Sequence, residues 1–186
     1  MEINMNKFFL DTEFLENGKT IDLISIGIVT DEREYYAVSN EFDFEAAKND
    51  AWIYENVLMP LFMDDNNFEE DGITFENLLT FSKDRNTIKQ EILEFVGEHP
   101  VFYGYYCDYD WIAFCQLFGK MIDLPKGFPM YMIDLKQIVD YFRLHKDWLR
   151  YEVPTRIEHN ALIDARWNMR LYEKLKEFEQ TKIFTI

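Results

Sequence analysis

Asp11 and Glu13 stand two positions apart in "FFLDTEFLENG" (Phe8 to Gly18), at the end of an apolar run where two acids ought to be unwelcome. Side chains alternate faces along a strand, so both carboxylates project to one side, close enough to hold a metal ion jointly. Left without a cation they would repel and raise one pKa, whereas a divalent ion turns the repulsion into coordination. Oxygen-rich sites for hard cations draw ligands from several elements. A D-x-E taken alone is equally compatible with solvated charges at a strand end.

Further acids lie downstream. In "YGYYCDYDWIAFCQLFG" a strand runs into a helix, and Asp108 and Asp110 sit at the junction, where either could cap the helix or serve as a ligand. Asp164, in "EHNALIDARWN", falls in the first turns of an amphipathic helix beside Leu162 and Ile163. His159 precedes it by five residues, which on a helix would set the two about 140° apart. The histidine therefore reads as a loop residue just before a cap at Asn160, placed to lean over a site built partly by Asp164. Beside a metal ion it is a candidate general base, since imidazole titrates near neutrality.

Something must position these groups. Lys7–Leu10 reads as a short buried strand, Ile21–Thr30 as a longer one, and Glu34–Ser39 as a third after the turn at Asp31–Arg33, which together make a meander. Phe44–Leu61 is irregularly helical and limited by Pro60. Met63–Gly72 is the most polar stretch and reads as a mobile loop. An EF-hand count over Asn67, Glu69, Asp71 and Gly72 fails, because it puts Leu78 where a bidentate glutamate should stand. A helix over Thr87–Gly97, a strand over Pro100–Tyr106, a helix over Asp110–Gly119, a strand over Met130–Asp134 and a helix after it give an alternating second half. The last helix, Asn160–Gln180, repeats Ile163, Trp167, Leu171 and Leu175 at four-residue steps. The layout is mixed α/β, with a central sheet covered by helices.

The 186 residues, 48% of them hydrophobic, fit one domain spanning the chain. With no long apolar span and no secretory leader, the expectation is a soluble, cytoplasmic protein with no membrane role. Cys107 and Cys115 lack disulfide or zinc patterning and read as core thiols. A net charge of −16, from 19 basic and 35 acidic residues, opposes tight binding to duplex nucleic acid. Any nucleic-acid role must then be confined to one cleft whose sign metal ions reverse.

"LDTEF", "YDWIAF" and "HNALIDA" resemble, in order and separation, the three motifs of the DEDDh 3′-to-5′ exonucleases. More narrowly, "LDTEFLENGKTIDLISIG", "EYYAVSNEFD" and "YDWIAFCQLFG" are similar to segments of the polyadenylate-specific 3′-exoribonucleases. The resemblance implies a ribonuclease H-like fold over residues 1–186 and a two-metal Mg²⁺ or Mn²⁺ site on Asp11, Glu13, Asp110 and Asp164. It also implies His159 as general base, and it selects Asp110 over Asp108. The substrate it implies is the 3′ end of single-stranded RNA, the product a nucleoside 5′-monophosphate, and the assembly a homodimer. Its alternatives are a proofreading-type DNA exonuclease and a catalytically silent 3′-end-binding module. Phe14 and Trp111 are candidates to stack on the terminal base, and Arg156 and Arg166 to meet phosphates, with core packing and surface ion pairing as their competing roles. The acidic stretch around Asp64–Asp71 and the segment from His145 to Glu158 depart from the family pattern.

Overall fold

The computed structural model describes residues 6–153 and 159–183. Its centre is a five-stranded sheet in the order β3-β2-β1-β4-β5, built from β1 (Lys7–Glu16), β2 (Ile21–Val29), β3 (Glu34–Val38), β4 (Val101–Gly104) and β5 (Ile133–Asp134). The first three strands form the antiparallel meander, and β4 and β5 add in parallel on the other side of β1. This is the ribonuclease H-like α/β arrangement that the motifs imply.

β1 is longer than its apolar run suggests. Pairing with β2 carries it past the acids to Glu16, so Asp11 and Glu13 lie inside a strand rather than at its end. Between Glu13 and Phe14 the register shifts, leaving Ile24 of β2 without an opposite number. The bulge restores Ile21 and Leu23 to the face that also buries Ile26 and Ile28.

The helices are α1 (Phe44–Asn49), α2 (Ala51–Ile53), α3 (Phe75–Leu78), α4 (Arg85–Val96), α5 (Asp108–Gln116), α6 (Leu135–Tyr141), α7 (Lys146–Glu152) and α8 (Ala161–Ile183). α4 and α5 bury Ile88, Ile92, Trp111 and Phe114 with Phe8 and Leu10. Leu135 and Val139 of α6 and Leu171 and Leu175 of α8 pack with Phe9. Alternation along β1 thus sends Phe8 and Leu10 to one helical layer and Phe9 to the other. A third cluster joins Leu15, Ile24 and Val38 to α1–α3.

After α2 the backbone continues as two π-helical turns, Tyr54–Leu58 and Pro60–Asp64. Pro60 does not end the helical run as expected, because at the start of the second turn its missing N–H costs little. The polar stretch that follows is anchored: Phe68 packs on Phe62 and Phe81, and Asn66 Nδ2 donates to the Leu61 carbonyl at 2.7 Å. Cys107 and Cys115 are buried free thiols, pushed up by burial to about 12 and about 11. Among the described residues no helix is long and apolar enough to cross a membrane.

Candidate active site

The strand and the last helix meet at the acids. Ligand oxygens of Asp11, Glu13 and Asp164 lie within 4.8 Å of one another. Two local features bring Asp164 there. The Asn160 side chain caps α8 by accepting from the Leu162 and Ile163 N–H groups, both at 3.1 Å. On β2, Gly27 lets the helix start lie directly on the sheet, since a Cβ there would sit 2.6 Å from Leu162 Cα and closer still to the Ala161 carbonyl.

Asp110 arrives from the other layer. In the first turn of α5 and 6% exposed, it accepts from the Thr12 backbone N–H and the Thr12 hydroxyl, both at 2.7 Å. Asp108, two residues earlier in the same turn, is exposed. Of the pair, Asp110 is thus the one that is buried and bonded to β1.

Burial and mutual repulsion dominate the electrostatics. The Asp11 carboxyl is held well above its ordinary range by desolvation and then by the charges of Asp110, Glu13 and Asp164, against a lowering hydrogen bond from Asn168. Desolvation, then Asp164 and Asp110, pushes Glu13 up to about 8. Asp110 rises to about 6 through desolvation, although its bonds from Thr12 favour the ionised form. Without added positive charge, then, the cluster does not ionise completely at neutral pH. The donors are all carboxylate oxygens, the set that suits hard divalent cations such as Mg²⁺ or Mn²⁺.

His159 sits before the cap, as its position in the sequence implies. Its backbone is left-handed, with φ 66°, an uncommon conformation in which histidine is among the better tolerated side chains. The His159 N–H donates to Asp164 Oδ2 at 2.9 Å, and its ring meets the edge of Trp52 at 4.7 Å between centroids. Histidine and aspartate are thus joined through the backbone although they share no helical face.

The other expected contacts fare differently. Trp111 is 8% exposed, stacked on Phe114 and packed against Phe102, so its ring is committed to the core. Phe14 is half-buried, with its ring edge-on to Tyr109. Arg166 forms a bidentate pair with Glu34, at 2.9 and 2.6 Å, which occupies the guanidinium on the protein's own surface. Arg156 lies outside the described residues.

Three residues at the site escaped sequence reasoning. Thr12 is the middle letter of "DTE", and nothing in its type marks it as the partner of Asp110. Asn168 is buried and donates to the Leu10 carbonyl at 3.0 Å, besides its bond to Asp11. Its position four residues after Asp164, on the same helical face, was a usable signal. Trp52, an indole 51% exposed against His159, had none.

Residues 6–175 match the model of the family described as the 3′-5′ exoribonuclease Rv2179c-like domain. Two curated relatives come from Mycobacterium tuberculosis: the 3′-5′ exoribonuclease Rv2179c of strain H37Rv and the 3′-5′ exoribonuclease MT2234.1 of strain CDC 1551. Each is 34% identical to this chain over 171 residues, which covers 89% of the chain and 90% of the relative.

Proposed function

The chain belongs to the Rv2179c-like 3′-5′ exoribonuclease domain family, and on that premise we propose a DEDDh-type enzyme that acts on single-stranded RNA in the cytoplasm. It removes nucleoside 5′-monophosphates stepwise from the 3′ end. The observation that carries this reading is the convergence of Asp11, Glu13 and Asp164 within 4.8 Å, with Asp110 buried beside them.

Asp11, Glu13, Asp110 and Asp164 are the residues that would hold two Mg²⁺ or Mn²⁺ ions. When bound, such ions supply the positive charge that offsets the phosphodiester and eases departure of the 3′ oxygen. His159 accepts the proton of the attacking water as its oxygen bonds to phosphorus and the bond to the 3′ oxygen breaks. Thr12 fixes one Asp110 oxygen through two hydrogen bonds, so that carboxylate holds its orientation through the cycle. Asn168, on α8, favours the ionised form of Asp11 through a hydrogen bond. The protein's contribution is placement of groups that need not reorganise during the reaction.

The test is incubation of 5′-labelled single-stranded RNA and DNA with Mg²⁺ or Mn²⁺, beside Asp11→Ala and His159→Ala. Ladders shortening from the 3′ end, faster on RNA and lost in Asp11→Ala, are expected. Internal cleavage products would overturn the exonuclease reading, and faster decay of DNA would overturn the substrate. Full activity in both variants would remove the site assignment.

A further inference from the structure

Among the described residues, the segment between β3 and α3 meets His159 and Asn160. Trp52, next to the Asp50 cap of α2, meets the histidine ring edge-on at 4.7 Å with the planes at 76°. Asp65, which closes the second π-helical turn, accepts from Asn160 Nδ2 through Oδ2 at 2.9 Å. Asn160 is also the residue whose Oδ1 caps α8, so one side chain ties the acidic segment to the helix that carries Asp164. His159 itself has a left-handed backbone, with φ 66°.

We propose that Trp52 and Asp65 are positioning residues, which set the orientation of His159 from a segment none of whose described residues joins the carboxylate cluster. This rests on the reading of His159 as general base. α2 and the π-helical turns then have a catalytic purpose. The apolar sides of those turns, Val57, Leu58, Leu61 and Phe62, are buried in the cluster shared with β2 and β3, which makes the segment a rigid arm. Asp50 stiffens its near end by accepting from the Trp52 and Ile53 N–H groups at 3.0 Å. A base displaced by a fraction of an ångström loses proton-transfer rate while substrate affinity is retained, so the signature is a fall in kcat at nearly constant KM.

The experiment compares wild type with Asp65→Ala, Asn160→Asp and the exchanged pair Asp65→Asn with Asn160→Asp, each alone and combined with His159→Ala. Asn160→Asp keeps an oxygen to cap α8 but sets two carboxylates against each other, whereas the exchanged pair rebuilds the bond with donor and acceptor reversed. On a short RNA with saturating Mn²⁺, Asp65→Ala and Asn160→Asp are expected to lose about tenfold or more in kcat with KM within about threefold, and the exchanged pair to recover most of it. In the His159→Ala background the same changes should move the residual rate by less than about twofold. The chain has three histidines, so the His159 ring C–H resonance can be assigned by its loss in His159→Ala. It should shift in Asp65→Ala and in Trp52→Leu and return in the exchanged pair. An unmoved resonance overturns the inference even if His159→Ala is inactive. So do equal losses with and without the histidine. Full activity in His159→Ala would instead remove the histidine's catalytic role, and the positioning role with it.

Discussion

Glu13 illustrates what a carboxylate costs when it is buried among others. Its ordinary pKa is 4.5 and in the folded, metal-free protein it is raised to about 8. Across that window the folded state keeps a proton that the unfolded chain has released, so stability falls as pH rises from about 4.5 to about 8 and levels off above it. Asp110, raised from 3.8 to about 6, adds to the lower part of the same slope. Glu13→Gln removes the titration. In chelator it should melt higher than wild type by about 3–8 °C at pH 8, with the gap closing toward pH 5, while kcat drops about 100-fold or more. Mn²⁺ should raise the wild-type melting temperature more at pH 8 than at pH 5.5, because it stabilises the ionised cluster. Thermal melts at the two pH values check both; a gap that widens toward pH 5 would mean that the folded state lowers the Glu13 pKa rather than raising it.

At the scale of the elements, the site depends on how closely α8 lies on β2. Gly27 faces backbone atoms of Ala161 and Leu162, which cannot rotate aside as a side chain would. Gly27→Ala must therefore push the start of α8 outward, and Asp164 and His159 with it. We expect a loss of about 2–3 kcal/mol in stability together with a kcat reduced more than stability alone explains, read from denaturant melts and from rates at a temperature where the variant is folded. A variant with wild-type kcat would show that α8 can slide without disturbing the carboxylates. The strands and the long α8 were legible because their apolar periods are strong and Asn160 is an ordinary cap. The extension of β1 through the acids was not. It is decided by pairing with β2, and no local propensity predicts that Asp11 and Glu13 stay in the ladder. The π-helical turns were hidden for a similar reason, since Pro60 is a stop signal in an α-helix but is tolerated at a turn start.

For the molecule as a whole, three motifs in a fixed order single out the four carboxylates and the histidine, whereas Trp111 and Arg166 are singled out only by their kind of side chain. Type alone cannot tell a stacking indole from one packed on Phe114, nor a phosphate clamp from the bidentate partner of Glu34. The net charge of −16 has its own consequence for substrate. A nuclease that grips six or more phosphates with lysine and arginine loses roughly 10³-fold or more in affinity between about 50 and 200 mM salt, through counterion release. Among the described residues, Arg166 is paired with Glu34 and Lys136 with Asp140. Beyond the cleft the acidic surface repels further phosphates, and monovalent salt screens that repulsion. With Mn²⁺ held saturating, KM for an RNA of a few nucleotides should stay within about threefold from 50 to 200 mM KCl, and for a long RNA it should fall rather than rise. Initial rates on the two lengths at several salt concentrations decide it. A steep rise of KM with salt on both would mean that a basic track carries the strand.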